Sequence, residues 1–288
     1  MKRLLAAFVE AQPLLWLGVL GLALSVACTA IAVGGGMVIP PEGDLTKAIT
    51  FDGAVGAYLL TIGLFVPLAH FSRAGKRWWL SWTAGLALYA YGIETIQTLR
   101  GLDPRFSRAG GPLDQLAGLL FFQAALGLIT TFGILGVKLW VRKAAGAERL
   151  MLLAIRYASL ATAIAFAAGL WMSAIHGRRT GVGGNILPLH AIGFHGLQGI
   201  PVVAWLLSRS RATYDESRRW VHVAGVAWLA ACLAIAWQTV AGRPVRELSP
   251  ATMLACALMV TWGVIAARAG QTYRRNVSAL LTGSERRN

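Results

Sequence analysis

The chain has 288 residues, of which 56% are apolar and 14% charged, with a mean hydropathy of +0.59. That balance excludes an ordinary soluble domain and makes lipid the expected solvent. The net charge of +15 would suggest nucleic acid in a soluble protein. Here the basic residues fall between apolar runs, where they act as orientation signals, and no nucleic-acid partner is expected.

A helix needs roughly 20 apolar residues to cross about 30 Å of hydrocarbon. Met1-Lys2-Arg3 and the apolar residues after it imitate a signal peptide, but Glu10 and Pro13 interrupt the run and it continues through Val33. The first span therefore begins near Pro13. Seven more segments of sufficient length follow, at about 53–72, 78–99, 115–140, 151–175, 186–207, 220–241 and 250–269. The expected fold is an all-α polytopic bundle of eight transmembrane helices. It forms one transmembrane domain over residues 1–288, with residues 271–288 as a cytoplasmic tail. Pro67, Pro188, Pro201 and Pro250 lie in or beside spans and predict kinks.

The loops on the side of the N-terminus, with Arg156 at their margin, hold nineteen of the 27 Lys and Arg residues. The opposite side holds Lys47, Arg100, Arg105, Arg108, Arg178, Arg179, Arg243 and Arg246. The richer side is cytoplasmic by the positive-inside rule, so both termini are inside. Trp78, Trp79 and Trp82 beside Lys76 and Arg77 fit an interfacial belt on that side. Three outer loops carry adjacent glycines followed by proline: Gly34-Gly35-Gly36 with Pro40, Gly110-Gly111-Pro112, and Gly183-Gly184 with Pro188. They hint at repetition, but the spans between them do not visibly match. Cys28, Cys232 and Cys256 all lie within apolar runs, so no disulfide framework or cysteine zinc site is implied.

Ionisable residues inside spans are costly and tend to face a bundle interior, which singles out Glu94. Sixteen residues beyond Trp78, it lies about 24 Å along its helix, in the outer leaflet. Tyr91, Glu94, Gln97 and Thr98 share one face. In the sixth segment His190 and His195 are splayed by about 140°, with Gln198 between them, while Gly193, Gly196 and Gly199 form the opposite stripe. That stripe would let another helix approach closely. His176 ends the fifth segment on the same outer side.

A pocket built from Glu94, Gln97, His176, His190, His195 and Gln198 is topologically allowed. Imidazoles and a carboxylate suit a metal- or haem-dependent binding or redox site, with haem or a divalent transition metal as cofactor. In that reading Glu94, His190 and His195 are catalytic, and His176, His190 and His195 are metal ligands. Gln97, Arg100, Arg105, Arg179 and Gln198 bind a small or anionic substrate from outside. The competing readings are a proton-coupled small-molecule transporter using the same residues as a relay, and a non-catalytic assembly subunit in which the polar face packs a neighbouring helix. Membrane lipids are partners in every case.

The strings Asp103-Pro104-Arg105-Phe106-Ser107-Arg108-Ala109-Gly110-Gly111-Pro112 and His190-Ala191-Ile192-Gly193-Phe194-His195-Gly196-Leu197-Gln198 resemble loop and helix signatures of uncharacterised bacterial multi-pass inner-membrane proteins. The resemblance covers about a tenth of the chain. It implies a bacterial inner-membrane location and carries no activity. Haem A synthases resemble the chain in helix number only.

Overall fold

The computed structural model describes residues 10–285. The basic N-terminal Lys2 and Arg3 and the terminal Arg286 and Arg287 lie outside the described residues. The chain divides into two compact units, Met1–Lys138 and Leu139–Asn288. The first contains α1 (Gln12–Gly35), a hairpin of β1 (Val38–Ile39) and β2 (Gly43–Asp44), α2 (Leu45–Phe65) with a 3-10 turn at Val66–Ala69, α3 (Arg73–Leu99) and α4 (Pro112–Val141). The second contains α5 (Gly146–Ala174), a hairpin of β3 (Arg179–Thr180) and β4 (Gly184–Asn185), α6 (Leu187–Leu207), α7 (Tyr214–Val240) and α8 (Pro250–Glu285).

Among the described residues, seven helices are long and apolar enough to cross a membrane. The protein is thus an all-α polytopic bundle. The helix outside that set is α3, which is 27 residues long but carries Arg73, Lys76, Arg77 and Glu94. The helix ends follow local chemistry. Asp44, Ser72 and Thr213 cap α2, α3 and α7 by accepting from the N–H groups of Thr46, Gly75 and Glu216. Pro188 and Pro250 occupy first turns, where a missing N–H costs nothing, and Pro67 sits in the 3-10 turn. Of the four prolines expected to kink helices, only Pro201 lies inside one. The expected second span also begins too late. α2 starts at Leu45, so Lys47 and Asp52 belong to the helix and not to the preceding loop.

The two units repeat one plan of helix, two-residue-strand hairpin and three further helices, with equivalent residues 141 positions apart, as Asp44 is from Asn185. Both residues accept from the N–H two positions on. Glu42 N–H donates to the Gly101 carbonyl at 2.8 Å, and Gly183 N–H donates to that of Gly242 at 3.0 Å. Leu45 N–H to Met37 is matched by Ile186 N–H to Arg178, and Leu102 N–H to Gln97 by Arg243 N–H to Gln238. Gly101 and Gly242 end α3 and α7 at φ 78° and 70°, a region that only glycine enters without strain. Gln97-Thr98 and Gln238-Thr239 precede them in the same register. From residue 43 to 54 the alternation of buried, half-buried and exposed positions is identical, residue for residue, to that from 184 to 195. The match lies in hydrogen bonds and burial while most side chains differ, which is why comparing apolar spans does not reveal it.

One crossing shows how the copies diverge. In the second unit Gly193 meets α5 so closely that an added Cβ would lie 2.7 Å from the Ala161 carbonyl oxygen. In the first unit the close approach is made from the other helix. A Cβ on Gly21 of α1 would lie 2.7 Å from the carbonyl oxygen of Asp52. Position 52, the counterpart of 193, is thereby free to carry a side chain, and it carries a carboxylate.

Candidate functional site

Buried charge concentrates at the hairpin end of the first unit. The packed face of α3 includes Ala87, Tyr91, Glu94, Gln97 and Thr98, all buried, because steps of three and four residues stay on one side of a helix. Glu94 is 0% exposed and accepts from Arg105 Nη2 at 2.6 Å. The loop after α3 supplies that arginine, whose guanidinium also lies 5.2 Å from the Phe51 ring centroid and 5.1 Å from that of Phe121. The two rings, with centroids 5.4 Å apart, lie together to one side of the cation and hold it over Glu94.

Asp52 of α2 is the second buried carboxylate, also 0% exposed. Its Oδ2 accepts from the Thr95 hydroxyl at 2.9 Å, and it lies within electrostatic range of both Glu94 and Arg105. Each carboxylate thus has one oxygen held. The other oxygens, Asp52 Oδ1 and Glu94 Oε1, take no hydrogen bond, and neither do the buried hydroxyls of Tyr91 and Thr98. Sequence reasoning missed Asp52 because the charge pair Lys47 and Asp52 looked like a loop before the span. The sequence signal was Asp44, a capping residue one turn ahead of Lys47.

Around this pair the loops are tied down by further ion pairs. Lys47 Nζ meets Asp103 at 2.6 Å. Burial works against ionisation of Asp103, but the Lys47 ammonium and the N–H groups of Arg105 and Phe106 overcome it and hold the carboxyl below its usual range. Glu42, at the hairpin tip, accepts from the Ser107 hydroxyl and from the N–H groups of Arg108 and Ala109. The Ser107 bond leads these in keeping its carboxyl below the ordinary value. Gln97 donates to Asp114, and Arg100 pairs with the same Asp114 oxygen at 2.6 Å. Arg100 and Arg105, expected to meet a substrate, are therefore both engaged with carboxylates of their own unit.

The remaining expected site residues lie in the second unit, where they are dispersed. His190 is half-buried on α6, with Nδ1 2.7 Å from the Ala165 carbonyl and its ring edge-on to Phe194. His195 is exposed, as are His176, which follows α5 at φ 49°, and Arg179 in β3. Gln198 is half-buried on α6. The glycine stripe packs as expected: Gly193 lies against α5, and Gly196 and Gly199 against Trp228 of α7. Trp228 Nε1 donates to the Ile192 carbonyl at 3.0 Å. Among the described residues, no group of three or more His, Cys, Asp or Glu side chains could hold a metal ion. The positions equivalent to Asp52 and Glu94 are Gly193 and Ile235, so the carboxylate pair belongs to the first copy alone.

No family model, curated protein or solved structure matches the chain. What its own residues establish is a multi-pass, all-helical membrane-spanning protein with buried polar residues.

Proposed function

We propose that the chain crosses a bacterial inner membrane eight times, with both termini in the cytoplasm, and works as a proton-coupled small-molecule transporter in which Asp52, Glu94 and Arg105 form the proton-handling site. The observation that carries this reading is a charge count. Two fully buried carboxylates face one guanidinium, since Lys47 is already paired with Asp103. With both acids ionised, one negative charge stands uncompensated in a low-dielectric interior, which costs several kcal/mol. One proton shared by the pair removes that charge.

Support for α3 as the eighth span comes from the repeat, because its counterpart α7 is among the helices apolar enough to cross. Four crossings in each copy return the chain to the basic side and place the Glu94 site in the outer leaflet. A metal or haem centre on His176, His190 and His195 has less support, because His190 is engaged with Ala165 and Phe194 while the other two are exposed.

The test is a pH jump applied to proteoliposomes adsorbed on a solid-supported membrane, which reads charge movement without knowledge of the substrate. The wild-type chain gives a transient current, and Asp52→Asn and Glu94→Gln abolish it. A wild-type protein with no current, or variants with undiminished current, refutes the reading.

A further inference from the structure

We infer that the Asp52–Glu94 site also binds a monovalent metal cation, sodium, in exchange for its proton. The inference rests on the proton-site reading above and names the ion that competes there. Four buried oxygens on two adjacent helices take no hydrogen bond: Asp52 Oδ1, Tyr91 Oη, Glu94 Oε1 and Thr98 Oγ1. Their residues are at most 2% exposed. Leaving such groups unpaired is expensive, and a hard cation ligated by oxygens satisfies the two carboxylate oxygens and the Tyr91 hydroxyl, which lies within electrostatic range of Asp52.

The arrangement is more specific than a cluster of acids. Thr95 and Arg105 each hold one oxygen of a carboxylate and so fix which oxygen remains free. Tyr91 lies one turn before Glu94 on its own face, while Thr98 lies two turns beyond Tyr91, at the rim of the site and outside the ion's ligand set. The Tyr91 hydroxyl extends to Gly21 of α1, where the backbone of Asp52 also arrives, and a Cβ at Gly21 would collide with that hydroxyl. Gly21 therefore makes room for the phenol next to the carboxylate.

Charge selects the valence. The pair with Arg105 carries one net negative charge when both acids are ionised, so one sodium ion neutralises it, whereas a divalent ion would leave an excess positive charge. The other charged or titratable groups around the pair are Lys47 on α2, Asp103 in the loop and the Cys28 thiol on α1. Lys47 and Asp103 neutralise each other. Binding is a balanced exchange: one sodium ion enters and the shared proton leaves to water. The apparent sodium affinity consequently falls about tenfold for each pH unit over which the site is protonated.

The experiment follows thermal unfolding of the full chain in nanodiscs, by tryptophan fluorescence, in NaCl and in choline chloride at equal ionic strength from pH 6 to 9. Sodium is expected to raise Tm by several degrees at pH 9 and progressively less toward pH 6. Asp52→Asn and Glu94→Gln lose the sodium-dependent shift, and Tyr91→Phe weakens it at least several-fold. Asp114→Asn, which alters a neighbouring ion pair, retains it and controls for non-specific damage. A wild-type Tm indifferent to sodium at every pH overturns the inference, as does a full shift in Asp52→Asn. If sodium has no effect while pH-jump currents persist and vanish in Glu94→Gln, the sodium site falls and the proton site stands. If the currents are missing as well, both fall.

Discussion

Replacing Arg105 by methionine keeps most of the apolar stem but removes the cation that Glu94 contacts at 2.6 Å. The Glu94 side chain is 0% exposed and that of Arg105 is 30% exposed, so the two halves of the pair are unequally served by water. Loss of the arginine strands a fully buried carboxylate, which costs about 3 kcal/mol. The contacts with Phe51 and Phe121 add about 0.5 kcal/mol each, giving roughly 4 kcal/mol for Arg105→Met. Glu94→Gln leaves a cation that water can reach and should cost about 1 kcal/mol. The double variant should recover much of the arginine loss, because its buried charge is gone.

The assay is SDS-induced unfolding in mixed micelles followed by tryptophan fluorescence, with the four species forming a double-mutant cycle. At low pH the cost of Arg105→Met alone should shrink as Glu94 takes a proton. Additive single-variant costs, or an Arg105→Met penalty no larger than that of Glu94→Gln, would refute the reasoning.

Gly21→Ala drives a methyl into the Tyr91 phenol and against the Asp52 carbonyl oxygen and should destabilise the protein by about 1–3 kcal/mol, with Tyr91→Phe restoring only part of the loss in the same unfolding assay because the ring carbon and the carbonyl remain in the way. Glu42 and Asp103 are held below their ordinary carboxyl values, so the stability they contribute is present above the unfolded carboxylate range and disappears as acid carries the pH down through the lowered values. Hydrogen exchange across residues 101–111 should therefore be protected at neutral pH and rise below about pH 4, and protection that strengthens on acidification would contradict the sign. In a cysteine-free background, a membrane-impermeant maleimide should label Arg108→Cys on intact cells and Ala74→Cys only after permeabilisation. Labelling of both from one side would show that α3 does not cross.

Much of the fold was legible because membrane insertion is governed by local composition. Each of the eight expected segments corresponds to a helix, since a run of twenty apolar residues has few alternatives in lipid. Glu94 was legible for the same reason, as a charge among apolar neighbours. The partners were not. Arg105 lies eleven residues beyond Glu94 and more than fifty beyond Phe51, a placement fixed by how the loop folds back over α4. Asp52 falls just outside the span expected at 53–72, because a charge near a span boundary looks the same whether it is solvated or buried.

The repeat marks the same boundary more sharply. The glycine and proline punctuation of the loops was visible, but the register linking Gly101 with Gly242 is written in backbone hydrogen bonds, which constrain side chains weakly. The sequence by itself determined what the lipid can test one segment at a time: helical state, approximate spans and the basic side. Only the tertiary structure decided which partners Asp52 and Glu94 meet and that the buried carboxylates belong to the first copy alone. Those outcomes depend on close approaches such as that at Gly21, where a single missing methyl sets the distance between helices.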